Sequence, residues 1–166
     1  MTRDVVEKCR VKAGQNYNGT TNTCGFTLLR PGASYSGAWV RDFTMSIESG
    51  LITTAEMLNF LKLIASRQND SVYANKESGY VIPPYAIPDH VTLGGNRIFF
   101  NRHLPPVDDH YYFVHLAWYL VKKTDAAALL QDTVRGMKLL DRLMRAFDAP
   151  VTDSLTGLVE TDSAHR

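Results

Sequence analysis

Trp39, Arg41 and Asp42, in the stretch "SGAWVRDFTMSIESG", set a flat aromatic ring, a guanidinium and a carboxylate within four residues of one another. The guanidinium offers a planar fork of donors, the carboxylate accepts two hydroxyls, and the indole presents an apolar face. These are the groups that hold a pyranose, whose faces are apolar and whose rim carries hydroxyls. A plain structural reading competes: Asp42 caps the helix that follows, and Arg41 pairs with a neighbouring acid. Two further pairs of acids could supply a proton donor. Asp108 and Asp109 stand at a helix start after a proline-rich loop, and Glu160 and Asp162 lie near the end of the sequence. Their structural alternatives are a first turn stabilised by the helix dipole, worth ~0.3–1 kcal/mol, and an exposed terminus.

Other chemistries leave weaker marks. Asp89-His90 and Asp108-Asp109-His110 offer nitrogen and oxygen ligands for a metal-dependent hydrolase. No HxxxH, HxH or CxxC spacing supports a metal, and His115 reads as a core histidine. "LGGN" at 93–96 has neither a GK[ST] ending nor GxGxxG, and no GxSxG elbow occurs, so no cofactor is expected. Tyr80, Tyr85, Tyr111, Tyr112 and Tyr119 can line a saccharide cleft or belong to the core. Cys9 and Cys24 read as two free thiols. A formal net charge of +1 without a basic run gives no electrostatic footprint for nucleic acid. No apolar run approaches the ~20 residues of a membrane span. "MTRDVVEKCR" lacks the apolar stretch of a signal peptide, which makes the cytoplasm the default expectation.

The elements that must position these groups read as mostly helical. A short helix is expected over 3–13, and "GQNYNGTTNTCG" reads as a loop. Asp42 opens a short helix closed by Gly50. Thr53 and Glu56 have the spacing of a capping box, ahead of a helix to about Arg67 with Met57, Phe60, Leu61 and Ile64 at helical period. Residues 69–107, broken by glycines and prolines, should hold short strands such as "GYVIP" and "RIFFN". A helix over 108–123 is apolar all round and should be buried on more than one side. The helix expected over 125–147 is amphipathic, with Leu130, Val134, Met137, Leu140, Met144 and Phe147 forming its stripe. An inner helix followed by an outer one fits a double-layered helical array.

"AWVRDFTM" resembles the Trp-x-Arg-Asp segment of the six-hairpin glycosidases, the (α/α)6-barrel enzymes that include glucoamylases and trehalases. "PPVDDHYYFVHLAWYLVKKTDA" is similar to an inner helix of such proteins, and "TGLVETDSAHR" to the segment leading into an acid-bearing loop. The resemblance implies a mainly α fold: part of an (α/α)6 toroid with inner helices near 42–50 and 108–123, outer ones near 54–67 and 125–147, and a loop or β insert on the rim. It implies one partial domain over 1–166, truncated at its C-terminus. It further implies a glycoside hydrolase-like domain recognising a neutral saccharide, inverting if active, with Arg41 and Asp42 on sugar hydroxyls. The acid would be one of Asp108, Asp109, Glu160 or Asp162. An inverting pair needs one neutral and one ionised carboxyl ~6.5–9.5 Å apart. The second carboxylate is expected outside this chain. A non-catalytic module binding sugar or protein is the alternative. Exposed inner helices predict self-association as a homodimer.

Overall fold

The computed structural model describes residues 3–74, 81–99 and 108–150. Among them are five α-helices and eleven short strands, 46% helix and 18% strand in several small antiparallel sheets. This mixed α/β architecture corrects the expectation of a mainly α toroid: the helices are not arranged as alternating inner and outer layers. The reason lies in turn chemistry. Asn18-Gly19 and Arg135-Gly136 all hold positive φ, the requirement of a two-residue hairpin turn whose twist matches paired strands. They close β2 (Asn16–Tyr17) on β3 (Thr20–Thr21), and β10 (Thr133–Val134) on β11 (Met137–Lys138). The second hairpin falls inside the stretch expected as one helix over 125–147. What forms instead is a 3-10 segment (Ala127–Gln131), the hairpin, and α5 (Leu139–Asp148). The buried stripe of α5 is accordingly Leu139, Arg142, Leu143 and Ala146, while Leu140, Met144 and Phe147 are exposed.

Four helices enclose the core. α2 (Val40–Ser46) runs into a 3-10 turn (Ile47–Ser49) that Gly50 ends in the left-handed conformation. α3 (Thr54–Arg67) begins with the expected capping box, Thr53 and Glu56 each bonding the other's backbone N–H. Its stripe of Met57, Phe60, Leu61 and Ile64 is sealed from water. α4 (Asp109–Thr124) packs on α2, α3 and α5, with Phe113, Leu116, Ala117 and Leu120 buried. Its acid-first, lysine-last order suits the helix dipole. Phe43 of α2 meets Phe60 of α3 at 4.1 Å between ring centres. α1 (Arg3–Cys9) adds Val6, and β1 (Arg10–Val11) pairs with β4 (Leu28–Leu29). Arg10 fastens this layer to α3 through a bidentate contact with Glu56, at 2.6 and 3.0 Å. Cys9 and Cys24 are free thiols, as their sequence context suggested.

A three-stranded sheet feeds the functional end of the molecule. β5 (Gly37–Trp39) pairs with β8 (His90–Thr92), which pairs with β9 (Arg97–Ile98). Gly37 is required here, because a Cβ would stand 2.6 Å from the Val91 carbonyl oxygen. β5 passes directly into α2, and the Val40 N–H donates to the Asp89 carbonyl at 3.1 Å. The remaining pair, β6 (Tyr73–Ala74) with β7 (Val81–Ile82), is covered by a small separate cluster around Ile82, Ala86 and Phe99.

Candidate functional site

The register of β5 against β8 places Trp39 directly across from His90. Their rings stack at 4.0 Å with an interplanar angle of 13°, and Tyr35 meets Trp39 edge-on at 4.8 Å. His90 Nδ1 lies 2.6 Å from a carboxylate oxygen of the buried Asp89, a contact that fixes the orientation of the imidazole. Trp39 is also the residue from which α2 starts, and no side chain caps that helix. Asp42 is therefore not the N-cap its sequence position suggested; it stands in the first turn.

Arg41 joins the two acids at the head of α4. Its backbone N–H donates to Asp109 Oδ1 at 3.1 Å, and its guanidinium lies 3.4 Å from Asp108 Oδ2. The Arg41–Asp108 pair is half-exposed, whereas Asp109 is only 1% accessible. Asp109 Oδ2 has no hydrogen-bond partner among the described residues. Burial pushes the Asp109 carboxyl up to about 8, and the charges of Asp89 and Asp108 push it the same way; the guanidinium and N–H of Arg41 oppose them with less effect. A carboxyl in this setting is neutral at pH 7 and has a proton to give.

The residues singled out from sequence thus separate into groups. Trp39, Arg41, Asp108 and Asp109 converge where β5, α2 and α4 meet. Asp42 points elsewhere: it is exposed and borders a small hollow of about 110 Å³ against α1, with Val6, Arg30 and Phe43. Glu160 and Asp162 lie outside the described residues, as does Tyr80. Tyr85 packs under the guanidinium of Arg145, away from this end. The two histidines of α4 exchange their expected roles. His110 is buried and accepts the Ile87 N–H on Nε2 at 3.2 Å, whereas His115 is half-exposed beside Glu48. Asp89 was weighed in the sequence only as a metal ligand. Its part as the second buried acid follows from the β5–β8 register, for which Trp39 and His90 give no signal until the strands are paired. Among the described residues no three His, Cys, Asp or Glu side chains are grouped as a metal site.

Beside the Arg41–Asp108 pair an open groove of about 590 Å³ runs between α2 and α4, floored by Thr44 and walled by Glu48, Asp108, Tyr111, Tyr112 and His115. Compared with models of known protein families, with curated proteins and with solved structures, the chain matches none. Its own fold and site define its class: a mixed α/β chain with a buried, proton-bearing carboxyl flanked by two further acids, an arginine and an aromatic stack.

Proposed function

We propose that this chain recognises a neutral saccharide and cleaves a glycosidic bond by acid/base catalysis. Asp109 is the proton donor. The observation that carries this reading is the separation of states among the acids: Asp109 is held neutral at physiological pH, while Asp108 is paired with a cation. A glycosidic oxygen leaves only when protonated, and a general acid is most effective when its pKa lies near the working pH. Asp89 and Asp108 are the candidates for the ionised partner. Trp39, backed by His90 and Tyr35, supplies a ring face for the sugar, and Arg41 donates to its hydroxyls.

The test is a screen of neutral oligosaccharides for binding by ligand-observed NMR, followed by reducing-sugar release. Asp109→Asn should bind the best ligand within about twofold while losing at least ~100-fold in turnover. No saccharide bound at about 10 mM, a weak-binding limit, or turnover that survives Asp109→Asn would overturn the reading.

A second reading, a non-catalytic module that associates with its own kind, is favoured by one feature. Leu140, Met144 and Phe147 lie exposed along one side of α5, with Tyr111 of α4 edge-on to Phe147 at 5.5 Å. Grouped apolar side chains in water favour association. Light scattering after size exclusion distinguishes the two: a dimer dispersed by Phe147→Glu supports this module, and a monomer at about 100 μM excludes it.

A further inference from the structure

The α2–α4 groove is open to a ligand of its own, independent of the saccharide reading. Its walls are acidic. Glu48 on one side and Asp108 on the other are both substantially exposed. The charge of Asp108 is offset in part by Arg41 at 3.4 Å, but Glu48 has only the imidazole of His115 at 3.8 Å, which is a cation only when protonated. Anions are therefore disfavoured. Tyr111 and Tyr112 line the same space and offer aromatic rings, whose faces attract cations.

The floor gives a second, separate sign. Thr44 is 2% accessible, yet its hydroxyl has no hydrogen-bond partner among the described residues. A helical threonine ordinarily turns its hydroxyl to the carbonyl four residues back, which here belongs to Val40. An unmatched buried hydroxyl is unfavourable in the free protein, and a donor entering the groove relieves it. We infer that the groove binds a small protonated amine, its ammonium between Glu48 and Asp108 and within reach of the Thr44 hydroxyl, its carbon body against Tyr111 and Tyr112. The ammonium supplies three donors to two carboxylates and a hydroxyl, none of which brings a proton of matching charge. The volume, about 590 Å³, lies within the range of small-molecule sites.

Two sources share this chemistry, an amino sugar and a free alkylamine. Titration calorimetry with glucosamine, N-acetylglucosamine, glucose and cyclohexylamine separates them. Glucosamine should bind at least about tenfold more tightly than its acetylated and deaminated counterparts, since acetylation removes the charge and two donors. Cyclohexylamine binding as well as glucosamine assigns the site to amines in general; glucosamine alone assigns it to amino sugars. Glu48→Gln, at an exposed position that leaves folding intact, should weaken the amine about tenfold, and Thr44→Val should weaken it measurably without loss of thermal stability. Asp109→Asn should leave it within about twofold, which keeps this result separate from any loss of hydrolysis. The inference is overturned if N-acetylglucosamine binds as tightly as glucosamine, if no amine binds at about 10 mM, or if Glu48→Gln and Thr44→Val both leave amine affinity unchanged.

Discussion

Asp109 and Arg41, 68 residues apart in sequence, meet at the start of two helices: the Arg41 backbone N–H donates to Asp109 Oδ1 at 3.1 Å. That single bond docks the head of α4 onto the head of α2 and holds the carboxyl beneath the Arg41–Asp108 ion pair. The other oxygen, Oδ2, is buried without a partner. The position is thus poor for an anion and suitable for an acid that keeps its proton.

This arrangement makes stability depend on pH in a definite direction. Unfolded, an aspartic acid ionises near about 3.9; folded, Asp109 ionises near about 8. Below about pH 4 both states hold the proton and the group has no effect. Between about pH 4 and 8 unfolding releases a proton, so this group makes the fold progressively less stable as pH rises, by an amount on the order of several kcal/mol in all. Above pH 8 the effect levels off. Asp109→Asn, which cannot ionise, should be more stable than the parent by on the order of 2 kcal/mol at pH 8 and about equal to it at pH 4. Urea denaturation at the two pH values checks this; a variant less stable at pH 8 contradicts it.

Arg142 should be the most costly charged residue of α5 to replace. It is 4% accessible; its Nε donates to the Val134 carbonyl at 2.8 Å and its Nη1 to Gln68 Oε1 at 3.0 Å. Gln68 in turn donates to the carbonyls of Tyr85 and Arg142, so one buried network ties the end of α3, the β10–β11 hairpin and α5 together. Arg142→Met should cost about 2–4 kcal/mol through the acceptors left unpaired, and Arg142→Lys should recover little because it lacks the planar fork. Chemical denaturation measures both.

Two glycines should respond differently to alanine. At Gly37 the new Cβ would collide with the Val91 carbonyl, so Gly37→Ala must spread β5 from β8 and separate Trp39 from His90. Gly136 has open space around it but a φ of +78°, so Gly136→Ala should cost about 1 kcal/mol and leave the site intact. Trp39 fluorescence together with melting temperature separates the two effects: Gly37→Ala moves both, Gly136→Ala only the second.

The aromatic stack should carry sugar contact rather than folding. Trp39 is only partly buried, so Trp39→Ala should weaken saccharide binding about tenfold and destabilise the chain by about 1 kcal/mol or less. Calorimetry on the variant checks the first value and thermal denaturation the second.

How much of this was legible in the sequence depended on whether a signal was local. The Thr53–Glu56 box, the stripe of α3, the end at Gly50 and the buried middle of α4 were readable because capping and helical period act within a few residues. The hairpin turns were legible in principle. Asn18-Gly19 is a strong two-residue turn signal, and reading it as loop, with Arg135-Gly136 as helix interior, turned a mixed fold into a helical array. The site was half visible. Trp39, Arg41 and the Asp108-Asp109 pair showed themselves by residue type, but which acid is buried depends on how α4 docks on α2, a contact across 68 residues. Asp89 needed the β5–β8 register, and Thr44 needed the absence of a partner for its hydroxyl. Neither fact is encoded in a spacing.

The central claim, a carboxylic acid kept neutral at Asp109, is tested most directly by the carboxyl ¹³C shift of that residue followed from pH 3 to 10, assigned by comparison with Asp109→Asn. The account predicts a midpoint near about 8. A midpoint near about 4, the ordinary value for aspartate, would contradict it and leave the site without its acid.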